Sequence, residues 1–221
     1  SKREWNVVPI TSPIEVQYSV AIGTAMAQRR HGGDGITIVQ GGDAGTAEGD
    51  FATCLVWSAR PGEELPILII VANNEWGIST PASTQHGEKH ISDRGKAFGM
   101  RTAVCNGNDP EEAWYAIQDA MEYVRRERKP FVLEAQLSRL YGHSSSSGSN
   151  YVDGETDCLV EIEKKLVQNG WRTEEELRQM RERIEADMQA WYKQVKGEPK
   201  PSPEDAFDYV FADKNIVGGE V

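Results

Sequence analysis

Two short apolar runs, each followed by small and polar residues, constrain the fold of this chain more than any other feature. Residues 36–39 (ITIV) and 67–71 (ILIIV) have the length and composition of strands that are buried on both faces. Residues 41–45 (GGDAG) follow the first run, and Asn73 and Asn74 follow the second. Since the carboxyl ends of parallel strands share one edge of a sheet, these two segments are expected to lie side by side.

The polar groups at this edge suit a divalent cation. Asp43 offers a carboxylate, Asn74 an amide oxygen and Trp76 a backbone carbonyl. Mg²⁺ takes a few such protein oxygens and completes its octahedron with phosphates and water. We therefore expect Asp43, Asn74 and Trp76 to be metal ligands.

The segment around Asp43 also predicts a cradle for phosphate. Four small residues flank the carboxylate: Gly41, Gly42, Ala44 and Gly45. They let the backbone approach an anion closely, and a helix expected to start at 47–48 would have free amides. The alternative is a glycine-rich strand-to-helix turn followed by an ordinary Asn-Asn turn. The presence of both segments favours a site for a metal and a diphosphate.

Strand-like and helix-like segments alternate as far as residue 137. Predicted strands cover residues 36–39, 66–72, 101–105 and 131–137, and predicted helices cover 12–30, 48–60 and 110–126. The last of these helices is expected to begin at Asp109 as N-cap, with Glu112 three residues later in a capping box. The alternation predicts an α/β fold in three layers, with a mostly parallel sheet between helices.

After Gly142 the composition changes to a serine-rich loop and then to charged helices. Six apolar residues fall on one stripe at helical spacing: Leu177, Met180, Ile184, Met188, Trp191 and Val195. We expect this stripe to pack against the rest of the chain or against a partner subunit. The predicted organisation is an α/β domain over residues 1–157 and a helical C-terminal extension over 158–221.

Charge and cysteine content disfavour some classes of protein. The 221 residues carry a formal net charge of −11, whereas nucleic-acid binding needs clustered Lys and Arg. Three scattered cysteines do not form a disulfide framework, which indicates a reducing compartment. No apolar run approaches the ~20 residues of a membrane span. We expect an intracellular protein with no nucleic-acid or membrane partner.

Residues 42–50 (GDAGTAEGD) and 73–81 (NNEWGISTP) resemble the thiamine diphosphate motif, and together they resemble the α subunit of branched-chain 2-oxoacid dehydrogenases. The resemblance continues through VQYSVAIGTAMAQRR upstream and RLYGHS downstream, and so covers nearly the whole chain. It implies a thiamine diphosphate-binding fold with thiamine diphosphate and Mg²⁺ as cofactors. The implied reaction is oxidative decarboxylation of a small 2-oxo acid with acyl transfer to lipoyl groups.

The resemblance also implies roles for single residues. Ser12 and Ile14 match positions that line the cofactor, and four residues match the diphosphate site: Gly42, Ala44, Gly45 and Arg139. His143 matches a histidine beside the cofactor thiazolium and the substrate, where it would assist acyl transfer. By composition alone His143 is a solvent-exposed loop residue, and the motif RLYGHS favours the catalytic interpretation. His31, His86 and His90 have no such context and are expected at the surface.

Two further positions match sites of some relatives. Ser144 matches a regulatory phosphorylation site of mitochondrial relatives, although a solvated serine loop is the simpler interpretation. A potassium-binding segment is matched by Thr11, Pro13, Val16 and Gln17. Val16 replaces a hydroxyl ligand in that segment, so no potassium ion is expected.

The chain departs from the family pattern near the cofactor. Ala44 replaces a glycine, and Ala72 replaces an arginine of branched-chain relatives, which removes a charge near the diphosphate. A family segment with a cofactor-contacting Tyr-Arg pair precedes the first helix, and we expect it in a longer protein or in another polypeptide. The glutamate that protonates the aminopyrimidine ring comes from the β subunit in this family. The chain is therefore expected to act only in an α₂β₂ assembly with a lipoyl-bearing acyltransferase core.

Two alternative functions stay open. One is another thiamine diphosphate enzyme, such as a pyruvate or acetoin dehydrogenase or a transketolase half-subunit; RLYGHS with its serine loop disfavours the last of these. The other is a non-catalytic assembly subunit. It stays open because Ala72 replaces the arginine near the diphosphate and because the segment with the Tyr-Arg pair is expected elsewhere.

Overall fold

A computed structural model of the chain describes residues 3–8, 12–143, 148 and 151–207. The strands of the described residues are β1 Thr37–Gly42, β2 Ile67–Asn73, β3 Trp76–Gly77, β4 Thr80–Pro81, β5 Arg101–Asn106 and β6 Phe131–Gln136. The helices are α1 Val16–His31, α2 Gly49–Ser58, α3 Asp93–Lys96, α4 Pro110–Glu127, α5 Cys158–Gln168 and α6 Glu174–Gly197. Short 3₁₀ turns cover Arg3–Trp5, Ala44–Ala47, Ala82–Thr84 and Pro203–Phe207.

The central sheet of the described residues has the order β1-β2-β6-β5, and all of its neighbouring pairs are parallel. Parallel neighbours need long crossovers. Helix α2 supplies the crossover from β1 to β2, and α4 supplies that from β5 to β6. All carboxyl ends of the strands consequently lie at the same edge of the sheet.

Side chains of β2 alternate between two cores. Ile67, Ile69 and Val71 belong to a cluster that also contains buried residues of α1 and α2. Leu68 belongs to a second cluster, which contains buried residues of α4. Each fully buried aliphatic side chain stabilises the fold by about 1.5–3 kcal/mol. The burial of β2 on both faces explains its continuous apolar run, and the predicted α/β fold with three layers is confirmed.

The start of α4 differs in one detail from its prediction. The Asp109 side chain accepts hydrogen bonds from the backbone N–H groups of Glu111 and Glu112, at 3.0 and 3.4 Å. Glu112 does not complete the expected capping box, because its carboxylate accepts from the N–H of Asn106 at 2.8 Å. The N–H of Asp109 donates instead to the Asn106 carbonyl.

Two other segments differ from their predicted structure. The helix expected from residue 48 begins at Gly49, because Ala44–Ala47 forms a separate 3₁₀ turn and Glu48 is extended. The region after Asn74, to which the sequence pattern assigned no strand before residue 101, contains the short antiparallel pair of β3 and β4. This pair holds Trp76 at the carboxyl edge of the sheet.

The described residues group into two compact units, within 1–165 and 166–221. In the second unit a capping box starts α6, where Thr173 and Glu176 satisfy each other's backbone N–H groups. Leu177 is buried, whereas the other residues of the predicted stripe are exposed by 39–63%. The boundary between residues 157 and 158 stays a prediction. Within the described ranges, no helix has both the length and the apolar character to cross a membrane.

Candidate active site

The pairing of β1 with β2 brings Asp43 beside Asn74. Gly42, the last residue of β1, pairs with Ala72 of β2, and the N–H of Asp43 donates to the Ala72 carbonyl at 3.2 Å. The backbone N–H of Asn74 hydrogen-bonds to the Asp43 carboxylate. Two residues from distant sequence segments thus meet at one strand edge, as the apolar runs predicted.

The Asp43 carboxylate is buried and only partly satisfied. Its exposure is 2%, and its Oδ2 atom has no hydrogen-bond partner in the described part of the chain. Burial raises the pKa of Asp43, against the opposing effect of hydrogen bonds from the N–H groups of Asp43, Ala44 and Asn74. An unpartnered buried carboxylate oxygen is costly, and a cation at Oδ2 would remove that cost. The donor set therefore fits a metal.

The loop after Asn74 is held in a strained conformation. The Asn74 Oδ1 atom accepts a hydrogen bond from the Trp76 N–H at 3.0 Å, and an amide oxygen keeps a second lone pair for another partner. Glu75 and Ile78 have φ values of 63° and 58°, in the left-handed region that non-glycine residues rarely adopt. Such strain persists where the surrounding structure enforces it, and it is typical of ligand-binding loops.

Arg139 joins this edge from the segment that follows β6. Its guanidinium carbon lies 5.0 Å from the centre of the Trp76 ring, and its Nη1 atom donates to the Ile78 carbonyl. Its Nε atom is buried without a hydrogen-bond partner in the described ranges. Arg139 therefore brings a positive charge and a free donor close to the proposed metal ligand Trp76.

Ala44 and Gly77 connect the two halves of the site through a close contact. A Cβ placed on Gly77 would lie 2.6 Å from the Ala44 Cβ and 2.8 Å from the Gln85 Nε2. The Gln85 side chain can rotate away, whereas Ala44 is fixed in its 3₁₀ turn. The site can therefore hold one methyl group at this contact, and Ala44 already supplies it.

A buried glutamate, which the sequence analysis did not single out, anchors the end of β2. Glu134 is fully buried, and its carboxylate accepts from the Asn73 Nδ2 at 2.8 Å and from the Ser92 N–H at 2.9 Å. The Asn73 Oδ1 atom accepts in turn from the N–H of Glu75 at 2.9 Å. These bonds fix the backbone on both sides of Asn74. The signal that could have identified Glu134 is a charged residue within an apolar strand pattern.

The expectation that His86 and His90 are surface residues is wrong. The His86 side chain is 6% exposed, and its Nδ1 atom lies 3.2 Å from the guanidinium of Arg94. The His90 side chain is 24% exposed, with its Nδ1 atom 4.0 Å from Glu134. Both rings lie in the segment after β4, which bonds to β6 through Ser92 and Glu134 and to the turn of Asp43 through Arg94. His31 is exposed, as expected.

Arg94 braces the turn that carries Asp43. The Arg94 Nη1 atom donates to the Thr46 carbonyl at 2.7 Å, and the Thr46 hydroxyl donates to the Asp43 carbonyl at 2.6 Å. Glu88 pairs with the same guanidinium at 2.5 Å. The turn is therefore held by a charged, half-buried group from a distant segment of the chain.

The remaining predicted site residues are exposed or half-buried, or they lie outside the described ranges. Ser12, Ile14, Gly42 and His143 are exposed, and Ala44 and Gly45 are half-buried. Ser144 and Thr11, matched to phosphorylation and potassium sites, lie outside the described residues. Among the described residues, no group of three or more His, Cys, Asp and Glu is placed to hold a metal. A cation beside Asp43 would thus depend on amide and carbonyl oxygens and on ligand phosphates.

Comparison with known proteins gives matches over nearly the whole chain. The model of the dehydrogenase E1 component family matches residues 1–204. The human mitochondrial 2-oxoisovalerate dehydrogenase subunit alpha is 29% identical over 218 residues, 95% of this chain and 48% of the relative. The Bacillus subtilis 2-oxoisovalerate dehydrogenase subunit alpha is 30% identical over 96% of this chain and 66% of the relative. The pyruvate dehydrogenase E1 component subunit alpha of Rickettsia bellii is 25% identical over 90% and 62%. The chain thus spans about half the length of the human relative.

Glu134→Gln tests the anchor of β2. We expect the variant to lose about 1–3 kcal/mol of unfolding free energy, because the glutamine NH₂ group must face either Asn73 Nδ2 or the Ser92 N–H, both of which are donors. Urea unfolding followed by circular dichroism measures the loss. The exposed Glu185→Gln on α6 is the control and should change stability by less than about 0.5 kcal/mol. Equal stability of the two variants would contradict the anchoring role.

Gly77→Ala and Ala44→Gly test the contact between the two halves of the site. Gly77→Ala alone should cost about 1–3 kcal/mol of unfolding free energy through overpacking. The double variant should recover most of that loss, because one methyl group again occupies the contact. A double-mutant cycle of thermal or urea unfolding measures the coupling, and additive single effects would argue against it.

Proposed function

The chain belongs to the dehydrogenase E1 component family, and we propose that it forms the thiamine diphosphate-binding part of the α subunit of a 2-oxoacid dehydrogenase. Its similarity to 2-oxoisovalerate dehydrogenase alpha subunits supports a branched-chain 2-oxo acid as substrate. The proposed activity is oxidative decarboxylation of that acid with acyl transfer to lipoyl groups.

The observation that carries the proposal is the arrangement at the ends of β1 and β2. The buried Asp43 carboxylate has an unpartnered oxygen within the described structure, and the backbone N–H of Asn74 is one of its partners. The Asn74 side-chain oxygen in turn accepts from the Trp76 N–H. We propose that Asp43, Asn74 and the Trp76 carbonyl hold Mg²⁺. Since Mg²⁺ retains ligand positions for phosphate oxygens, the same residues would position a diphosphate.

The diphosphate is proposed to contact the backbone at Gly42, Ala44 and Gly45 and the guanidinium of Arg139. Arg139 supports this role because its buried Nε lacks a partner in the described structure and its position is set by the Trp76 ring. An arginine can present two N–H groups to a phosphate in fixed geometry. Ala72 adds no charge at this edge, so Arg139 and the metal would neutralise most of the negative charge of the diphosphate.

When bound, thiamine diphosphate supplies the chemistry that removes CO₂ from a 2-oxo acid and accepts the electrons released. The protein residues are proposed to orient the reactants and to move protons. Ser12 and Ile14 are exposed side chains before α1 that would line the cofactor, and His143 is an exposed imidazole after β6. His143 would hold or release a proton at its imidazole nitrogen during acyl transfer, since an imidazole can do both near neutral pH.

The proposed partners are a β subunit in an α₂β₂ assembly and the lipoyl-bearing acyltransferase core. The exposed apolar residues of α1 and α6 support an assembly, because large exposed patches typically mark contact surfaces. They include Val20, Met26, Ile184, Met188 and Trp191. The relatives comprise mitochondrial and bacterial proteins, so the matrix or the bacterial cytoplasm is the proposed location.

A second candidate function is that of a pyruvate dehydrogenase α subunit. The Rickettsia bellii relative supports it, and the described site residues do not select among 2-oxo acids. A parallel assay of pyruvate and of 2-oxoisovalerate with the same reconstituted α₂β₂ enzyme would separate the two substrates by their kcat/KM values.

Asp43→Asn tests the metal site. Mg²⁺ with thiamine diphosphate should raise the melting temperature of the parent chain, since saturation at about a hundred times Kd stabilises by about 2.7 kcal/mol. The variant should lose this shift, because it keeps the shape of Asp43 and removes its charge. Without ligand, its melting temperature should be equal or higher, since a buried and partly unsatisfied carboxylate has been neutralised.

The exposed Asp119→Asn on α4 is the matched control and should retain the full ligand-dependent shift. Differential scanning fluorimetry with each ligand alone and with both measures all three proteins. A shift of the same size in Asp43→Asn would remove Asp43 from the metal site.

Arg139→Ala and His143→Ala separate binding from proton transfer. Arg139→Ala should weaken binding of thiamine diphosphate, because a charged donor to the diphosphate is lost. His143→Ala should bind the cofactor normally and lose ~10²–10⁴ in acyl transfer to lipoyl groups. Calorimetry gives the affinity, and a reconstituted complex gives the rates, with an artificial electron acceptor reporting decarboxylation alone. If His143→Ala transfers acyl groups at the parental rate, His143 has no role in proton transfer and is only a residue of the loop.

A further inference from the structure

Glu15 is a buried glutamate in an unfavourable backbone conformation, directly before α1. Its exposure is 5% and its φ is 66°, in the left-handed region. The left-handed conformation is unfavourable for a non-glycine residue, because its Cβ crowds the following carbonyl oxygen. The side chain makes no capping hydrogen bond to α1. Helix capping therefore does not account for the conformation of Glu15.

The Glu15 carboxylate fills the concavity of the glycine-rich turn between β1 and α2. A Cβ on Gly41 would overlap both carboxylate oxygens, and a Cβ on Gly45 would overlap Oε1. The backbone N–H of Gly42 hydrogen-bonds to the same carboxylate. The space provided by these glycines is thus occupied by an anionic group of the chain itself.

The surroundings oppose a second anion at this position. Burial raises the pKa of Glu15 to about 7, against the opposing effects of the Tyr18 hydroxyl and the Gly42 N–H, and the charges of Glu48 and Asp50 raise it as well. A diphosphate at the turn would add further like charge at close range. An ionised Glu15 and a bound diphosphate would therefore compete for the N–H of Gly42 and for the same space.

We propose that the Glu15 side chain is an internal occupant of the anion-binding turn, and that diphosphate binds only when this side chain withdraws. The inference rests on the proposed function, which places a diphosphate at residues 42–45. Carboxylate and phosphate oxygens both accept hydrogen bonds from backbone N–H groups, so one can stand in for the other. Glu15 then lowers the affinity of the turn for diphosphate, in opposition to Asp43 and Arg139.

Calorimetric titration of the full chain with inorganic diphosphate in the presence of Mg²⁺ tests this inference. Glu15→Ala removes charge and volume, and we expect it to bind diphosphate about tenfold more tightly than the parent. Glu15→Gln removes the charge and retains most of the volume, so its affinity should lie between the two. The matched control is Glu48→Gln, which removes one exposed charge near Glu15 without emptying the concavity. It should change the affinity by less than about twofold, since exposed charges are well screened.

Equal or weaker binding by Glu15→Ala, or an equal gain in Glu48→Gln, would overturn the inference. If Glu15→Ala does not fold, Glu15→Asp retains the charge and withdraws the carboxylate by one methylene, and it must then bind diphosphate more tightly than the parent. Unchanged binding by Glu15→Asp would be equally decisive against the inference. If the parent binds diphosphate and the Glu15 variants bind no better, only the role of Glu15 fails. If neither the parent nor any variant binds, the proposed function fails with it.

Discussion

The parallel ladder between β1 and β2 is the constraint on which the candidate site depends. Its register sets Gly42 opposite Ala72, so that Asp43 and Asn74 follow as neighbours beyond the last paired residues. A shift of this register by one residue would turn every β2 side chain to the opposite face of the sheet. Ile67, Ile69 and Val71 would then leave the core formed with α1 and α2. The apolar core therefore maintains the alignment of the polar groups at the strand ends.

Much of the rigidity of the site comes from polar groups that hold the proposed ligand residues in place without being ligands themselves. Glu134 lies fully buried on β6 and holds both Asn73 and the backbone of Ser92. In a low-dielectric interior these bonds are strong, and the loss of any acceptor leaves a donor unsatisfied. Arg94 has the corresponding role for the turn of Asp43, through the Thr46 carbonyl. The loop and the turn are thus fixed independently before any ligand arrives.

The sequence was sufficient for the features that depend on local patterns. Continuous apolar runs identified β1 and β2, and the small residues after β1 marked the turn that carries Asp43. It was not sufficient for Glu15, whose environment arises from contact with a distant segment. It was not sufficient for His86 either, because the burial of that ring beside Arg94 depends on how the segment after β4 folds. The hydrophobic periodicity of the sequence does not indicate that the side chain of Glu15 folds back onto the glycine-rich turn after β1. The contact of Ala44 with Gly77 also depends on how closely two loops approach, which only the folded backbone specifies.

The Asn73–Glu134 bond joins residues that are 61 positions apart in the chain. Closing a connection of this length costs entropy that is recovered only when β6 pairs with β2. A chain emerging from the ribosome can align β1 with β2 early, because only the α2 crossover separates them. The end of β2 becomes anchored only after β6 has been synthesised and added to the sheet. A ligand that binds at this edge would therefore bind chains that contain β6 and not shorter nascent chains. The site forms late in synthesis because β6 is the last strand of the sheet to be made.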